Sequence, residues 1–161
     1  MKILIIQAGG TIDKDYPRRT EGWAFEITEP AAARILSRLD PSFEYEVLTC
    51  CRKDSLEITS GDRESLVRII NDHPVDRIII THGTDTMAET AEYLDERIKG
   101  KRVVITGAMR PERFSDSDAD INLGTAIAAL QLGEKGIYIA MHGIVKPWRD
   151  SRRDTKSGKY Y

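Results

Sequence analysis

Two hydroxyls and a carboxylate follow directly after an apolar run in the segment His82–Thr86. The run 77–81 predicts a buried strand, and residues 88–94 predict a helix. Thr84, Asp85 and Thr86 therefore lie at a strand-to-helix turn. In an open parallel sheet such a turn lies at the carboxyl end of a strand, where these folds bind ligands. We interpret this turn as half of an active site.

A second candidate is the turn Gly9-Gly10-Thr11, which follows the first apolar run of the chain. A threonine placed after paired glycines can expose its hydroxyl beside backbone N–H groups, as a nucleophile with an oxyanion hole requires. The alternative is a tight turn capped by Thr11. The residues match neither the dinucleotide fingerprint nor the Walker pattern.

Two further turns complete the predicted edge of the sheet, with Asp54 and Ser55 in one and Gly107 and Ala108 in the other. Such a group is rich in hydroxyls and poor in apolar side chains. It therefore suits a small polar substrate better than a large aromatic cofactor.

A threonine nucleophile needs a neighbour that takes its proton. A lysine whose pKa is lowered by burial could do so beside a carboxylate. His82 is the other candidate base, although a lone histidine before a glycine turn is more often structural. The residues alone leave this choice open.

The apolar runs alternate with helical patterns along the whole chain, which predicts right-handed crossovers and a parallel sheet. We expect a single three-layer α/β domain over residues 1–161, with a mainly parallel sheet, helices on both faces and a Rossmann-like or flavodoxin-like architecture. Thr28 is predicted to cap the first helix, and Thr59 or Ser60 to cap the second, with Glu64 closing the box. The predicted strands are Lys2–Gln7, Tyr45–Cys50, Arg77–Thr81, Arg102–Thr106 and Gly136–Met141.

Composition excludes several classes of protein. The net charge of -2 favours neither nucleic acid nor an acidic membrane as partner, and no apolar run is long enough to span a bilayer. The two cysteines, Cys50 and Cys51, are adjacent, which excludes a disulfide framework and favours a reducing cytoplasm. We interpret them as packing residues and expect no metal site.

Three stretches resemble signatures of one family. The run Ala8–Ile12 is similar to the first signature of the bacterial-type L-asparaginases, the asparaginase/glutaminase family. The run His82–Met87 resembles their second signature. Thr106–Pro111 and Ser117–Asn122 resemble a third stretch and the segment that follows it. The likeness extends over nearly the whole chain, which resembles the N-terminal domain of the family without its second domain.

The resemblance implies hydrolysis of L-asparagine to L-aspartate and ammonia without a cofactor, with L-glutamine as a further substrate. It makes Thr11 the nucleophile, which forms a covalent acyl-threonine. Thr84 and Asp85 form a relay with a lysine. Asp85 also holds the substrate's α-ammonium, and Ser55 receives its α-carboxylate.

The resemblance also assigns the backbone around the substrate. Gly10, Gly83 and Thr84 would contact the substrate, and the backbone of Thr84 and the glycines of the first turn would face the developing oxyanion. The lysine of the relay follows a pattern like Arg-x-Thr-Lys, which Arg153–Lys156 fits. Lys156 is therefore our choice for the relay.

Alternatives to that lysine are Lys146 and Lys159, and the whole segment 146–161 could instead be a solvated basic tail. The lid residue near the nucleophile is Tyr16, with Trp23 as the alternative. We expect a homo-oligomer, a dimer or higher, because a lone domain leaves the pocket half walled.

Leu56 departs from the family pattern, since members carry a polar residue that contacts substrate after the serine. Two other functions therefore stay open: an amidase acting on a different small amide, and a non-catalytic module that binds an amino acid. A subunit of a transfer-RNA-dependent amidotransferase is disfavoured, because its appended domains are missing.

Overall fold

A computed structural model describes residues 1–17 and 24–161 of the chain. The α-helices are Ala31–Leu39 (α1), Ser60–Asp72 (α2), Met87–Arg97 (α3) and Ala119–Leu132 (α4). The strands are Lys2–Gly9 (β1), Lys14–Asp15 (β2), Glu26–Ile27 (β3), Glu44–Lys53 (β4), Arg77–Thr81 (β5), Arg102–Thr106 (β6), Gly136–Met141 (β7) and Ile144–Pro147 (β8). None of the helices in the described ranges has the length and apolar character that a membrane crossing needs.

The main sheet has the strand order β4-β1-β5-β6-β7-β8 within the described residues, and neighbouring strands are parallel except β7 and β8. Taken in chain order, the five parallel strands lie 2-1-3-4-5, which is the doubly wound order of flavodoxin-like folds. The direction of winding reverses between β1 and β5. This switch point is where such sheets form a crevice at their carboxyl edge.

Alternate residues of each central strand face opposite helical layers. In β1, Leu4 and Ile6 pack in a core cluster with α2 and α3, whereas Ile3 and Ile5 pack with α1 and α4. All four side chains are at most 1% exposed. Because both faces of the sheet are covered, its strands are continuous apolar runs. The predicted three-layer α/β fold is confirmed.

The edges of the structure differ from the prediction. The short strand β8 pairs antiparallel with β7, and β2 and β3 form a separate two-stranded antiparallel sheet. Residues 152–161 also form a hairpin, in which Arg152 and Tyr161 exchange two backbone hydrogen bonds of 3.0 and 2.8 Å. A solvated tail is therefore the wrong description of this segment as a whole. Strands of two to four residues are too short to show a period in sequence.

The first helix is capped from a distant residue. Thr28 was expected to cap α1, but Pro30 stands at that position and the Ala31 N–H donates to Asp13 Oδ1 at 2.7 Å. The Thr28 hydroxyl instead donates to the Asp13 carbonyl. In α2 the predicted cap Thr59 is correct. Asp62, not Glu64, closes its box.

Two turns at the carboxyl edge of the sheet pack backbone against backbone. A Cβ placed on Gly10 would lie 2.3 Å from the Gly83 nitrogen and 2.4 Å from its Cα. A Cβ on Gly83 would lie 2.7 Å from the Ser55 Cβ. These distances are too short for any side chain, so the turns after β1, β4 and β5 meet only because both positions are glycine.

Gly10→Ala should therefore lower the free energy of unfolding by roughly 3 kcal/mol, since the added methyl meets backbone and Gly10 has φ +87°. Urea denaturation at neutral pH measures this difference. Gly124→Ala is the matched control, because nothing lies within 4 Å of its Cβ position in α4. That variant should be unchanged or up to about 1 kcal/mol more stable. Equal effects of the two substitutions would contradict the packing described.

Candidate active site

The turns that follow β4, β1 and β5 meet beside the switch point. Thr11 begins the 3-10 turn Thr11–Asp13 directly after Gly10, and Thr84 directly follows Gly83. The contact between these two glycines therefore brings the two predicted threonine-bearing turns together. Thr11 is half-buried, whereas Thr84 is only 9% exposed.

Ser55 links the turn after β4 to the turn after β5. Its hydroxyl donates to Asp85 Oδ2 at 3.3 Å and accepts a hydrogen bond from the Asp85 N–H at 3.2 Å. The Thr86 hydroxyl donates to the Ser55 carbonyl at 2.8 Å. Two of the predicted substrate-binding groups, Ser55 and Asp85, are thus direct neighbours. Asp54 lies outside this group: it caps the short turn Ser55–Glu57 and pairs with a lysine.

The backbone of Gly10 is already engaged. Its N–H donates to the Lys53 carbonyl at 3.0 Å, at the end of β4. That hydrogen bond holds the first turn against its neighbouring strand. This donor is therefore used within the fold, and the expected contact of Gly10 with substrate stays a prediction. The role of Gly10 is to allow the close approach of Gly83.

His82 is a structural residue. It is fully buried, and burial lowers its pKa to about 4. Its Nδ1 lies 2.7 Å from the Gly83 carbonyl, which can only accept, so Nδ1 carries the hydrogen. Its Nε2 then accepts from the Thr90 hydroxyl at 2.9 Å. Both ring nitrogens are occupied, which agrees with the structural interpretation and disfavours His82 as a base.

The cation of the hairpin 152–161 that contacts Asp85 is Arg153, whereas the family resemblance assigns Lys156 to the relay. Arg153 Nη1 donates to Asp85 Oδ1 at 2.8 Å. Lys156 is exposed in the hairpin turn, and its backbone N–H donates to Asp154 Oδ1 at 2.8 Å. The part of Lys156 in the relay stays a prediction.

Tyr160 fastens the same hairpin to the turn after β5. Its hydroxyl donates to the Thr84 carbonyl, and its side chain is 6% exposed. Burial raises the pKa of Tyr160 to about 12, against the opposing effect of the nearby Arg153 charge. The hydroxyl therefore keeps its proton at neutral pH and stays a donor to Thr84.

The lid candidates lie in and next to the undescribed segment. Tyr16 is 52% exposed and stacks on Phe25, with 4.7 Å between ring centroids. Trp23, the alternative, lies outside the described residues. The lid role of Tyr16 stays a prediction.

Asp13, two residues after Thr11, is a fully buried carboxyl. Its Oδ1 accepts from the Ala31 N–H, while Oδ2 has no hydrogen-bond partner within residues 1–17 and 24–161. Burial raises its pKa to about 6, although the Ala31 N–H, Gln7 and the Arg34 charge act to lower it. Asp13 therefore joins the turn of Thr11 to the start of α1.

Sequence reasoning did not assign Asp13, Arg153 or Tyr160 to the site. Arg153 and Tyr160 contact residues that are 68 and 76 positions away in sequence. No local pattern marks such contacts. For Asp13 the sequence offers one signal, a carboxyl directly after a predicted turn. The fold buries this carboxyl.

In the part of the chain that the structure describes, no group of three or more His, Cys, Asp or Glu residues is arranged to hold a metal ion. Cys50 and Cys51 are free thiols towards the carboxyl end of β4, partly buried and packed against the core.

Comparisons with known proteins point to one family. A family model described as asparaginase, N-terminal, matches residues 2–158. The glutaminase-asparaginase of Acinetobacter glutaminasificans is 28% identical over 159 residues, which are 92% of this chain and 48% of that protein. The structure of the thermostable L-asparaginase from Thermococcus kodakarensis superimposes with a TM-score of 0.82 and 30% identity, covering 95% of this chain and 48% of that one.

A second solved structure gives the same result. The probable cytoplasmic L-asparaginase from Campylobacter jejuni has a TM-score of 0.73 and 31% identity, and it covers 94% of this chain and 49% of that one. The chain thus spans about half the length of the relatives it matches.

Asp13→Asn should change the pH dependence of stability. Since the folded pKa of about 6 lies above the ordinary aspartate value of 3.8, which holds in the unfolded chain, the folded state binds the proton more tightly. The stabilising contribution of Asp13 is therefore complete below pH 4 and is lost as the pH rises through 6. The variant keeps the acceptor for the Ala31 N–H without this titration. Relative to wild type it should gain roughly 2 kcal/mol in free energy of unfolding between pH 4 and pH 7.

Urea denaturation of both proteins across this range measures the difference. Asp120→Asn, which alters an exposed carboxylate of α4, is the control and should show no comparable gain. Parallel stability curves for wild type and Asp13→Asn would contradict the buried carboxyl described here.

Proposed function

We propose that this chain, which belongs to the asparaginase family by the match of residues 2–158 to its N-terminal model, is an L-asparaginase. It would hydrolyse L-asparagine to L-aspartate and ammonia, with L-glutamine as a slower substrate and no cofactor. The observation that carries the proposal is the meeting of three turns at the switch point, which gathers Thr11, Ser55 and Asp85 at one edge of the sheet. The names of the relatives support the same chemistry.

Ser55 and Asp85 bind the amino-acid end of the substrate in this proposal. The Ser55 hydroxyl donates to the α-carboxylate, and the Asp85 carboxylate accepts from the α-ammonium. Their direct hydrogen bond in the free protein supports this assignment, because a zwitterion needs the two groups side by side. Asp85 remains 46% exposed in its side chain and can therefore accept a further donor.

Thr11 supplies the nucleophile. Its oxygen attacks the side-chain amide carbon while its proton passes to the relay of Thr84, Asp85 and Lys156. The carbon–nitrogen bond then breaks, the nitrogen takes a proton and leaves as ammonia, and an acyl-threonine remains. Water attacks this ester, so that L-aspartate leaves and Thr11 regains its proton. The backbone N–H of Thr84 is our candidate for the oxyanion.

Enclosure of the site requires further groups. We assign Tyr16 as the lid, since it lies five residues after Thr11 and its ring is exposed beside Phe25. A second copy of the chain, in a dimer or larger homo-oligomer, would complete the wall, because exclusion of water strengthens electrostatic contacts inside a site. The cytoplasm is the proposed location, which the Campylobacter jejuni relative supports by its description.

Leu56 favours a second candidate substrate class. Its side chain is 79% exposed directly after Ser55, where the family resemblance calls for a polar contact. An amidase acting on a less polar small amide would contact its substrate through the apolar side chain at this position. Relative rates on L-asparagine and on such amides decide between the two.

Thr11→Ala should reduce ammonia release from L-asparagine by roughly a thousandfold or more, since the covalent step loses its nucleophile. A coupled ammonia assay on the purified chain measures this. Thr125→Ala, which removes a hydroxyl that donates to the Ile121 carbonyl in α4, is the matched control and should keep full activity. Undiminished ammonia release by Thr11→Ala would refute the proposed nucleophile.

Lys156→Ala should reduce kcat by roughly a hundredfold, because the relay loses the group that takes the proton. Lys159→Ala and Lys146→Ala, the other lysines of the segment, should stay close to wild type. The same ammonia assay compares the three variants. If Lys156→Ala keeps full activity, the lysine assignment is wrong even where the Thr11 result stands.

A further inference from the structure

The carboxylate that we assign to the substrate's ammonium already holds a cation of the chain itself. Arg153 Nη1 lies 2.8 Å from Asp85 Oδ1, while the Ser55 hydroxyl binds Oδ2. The side chains of Arg153 and Asp85 are 24% and 46% exposed. The charge of Asp85 is therefore partly compensated before any ligand binds.

The hairpin holds Arg153 in this position. Arg153 forms a backbone bridge with Tyr160 on the opposite arm. The Tyr160 hydroxyl donates to the Thr84 carbonyl, and the Tyr160 N–H donates to His142 Nδ1 at 3.2 Å. Arg153 is thus fixed from two sides, unlike an arginine on a free surface.

The neighbouring basic residues have other partners. Arg152 donates to the backbone carbonyls of Arg149 and Ser151, and Arg149 pairs with Asp95 at 2.7 Å. Among the described residues, the ion pairs place only Arg153 on Asp85. Arg153 is therefore the residue of this basic segment that contacts Asp85.

A substrate ammonium on the same carboxylate would meet this guanidinium. Two donors on one carboxylate, each at an ordinary hydrogen-bond distance, place two positive charges roughly 5 Å apart. At that separation like charges repel, and partial burial leaves the repulsion only partly screened. The Arg153 charge therefore opposes binding of an α-ammonium and does not oppose a ligand that lacks one.

We propose that Arg153 is a specificity-determining residue that acts as an internal counter-cation for Asp85. It weakens selection for the α-ammonium, so that the site accepts ω-amides of dicarboxylic acids with or without that group. This inference rests on the amino-acid-binding part of the proposed function.

The test compares two ligands that differ in the ammonium, L-aspartate and succinate, by titration calorimetry. Arg153→Met keeps the length of the side chain and removes its charge. The ratio of the affinity for L-aspartate to that for succinate should rise roughly fivefold in this variant. An unchanged or lower ratio would overturn the inference. So would the failure of both ligands to bind to wild type and to Arg153→Met.

Arg149→Met is the matched control, since it removes the same charge from an arginine that pairs with Asp95. It should change both affinities alike and leave the ratio unchanged. Tyr160→Phe removes the hydroxyl that fastens the hairpin to Thr84, so the ratio should rise in the same direction by a smaller factor. This second variant keeps the test decisive if Arg153→Met does not fold.

Ammonia release separates this inference from the proposed function. If wild type shows no Thr11-dependent release but the affinity ratio rises in Arg153→Met, the hydrolase proposal fails and the role of Arg153 stands. If release is normal and the ratio does not change, the role of Arg153 fails and the hydrolase proposal stands.

Discussion

The site depends on the contact of bare backbone between Gly10 and Gly83. With a Cβ at either position, the turns after β1 and β5 could not approach as they do. Ser55 packs against the second glycine from the other side, so three turns share one contact. The strand order places these turns next to each other at the switch point, and the glycines allow the last few ångströms of approach.

The two carboxyls near this edge of the sheet lie in different environments. Asp85 is shared between the Ser55 hydroxyl and the Arg153 guanidinium, whereas Asp13 is buried with one oxygen unpartnered among the described residues. The first carboxylate is half exposed and can exchange partners with a ligand. The second is buried and ties the turn of Thr11 to α1. In the proposed function the first carboxylate recognises the substrate, whereas the second holds one of the turns in place.

Much of the fold could be predicted because it is encoded locally. Continuous apolar runs mark strands covered on both faces, and the turns that end them carry Thr11 and Asp85. The rest depends on contacts between distant residues. The cap that Asp13 gives to Ala31 and the contact of Arg153 with Asp85 join segments that no periodic pattern connects. The engagement of the Gly10 N–H by β4 is hidden from sequence for the same reason.

A crystal structure of the protein with L-aspartate tests most directly whether the three turns form one amino-acid site. The α-ammonium should lie within hydrogen-bond distance of Asp85, the α-carboxylate on Ser55, and the side-chain carboxyl beside the Thr11 hydroxyl. Density for L-aspartate away from the switch point, or with its side chain directed away from Thr11, would contradict the site that the glycine contact builds.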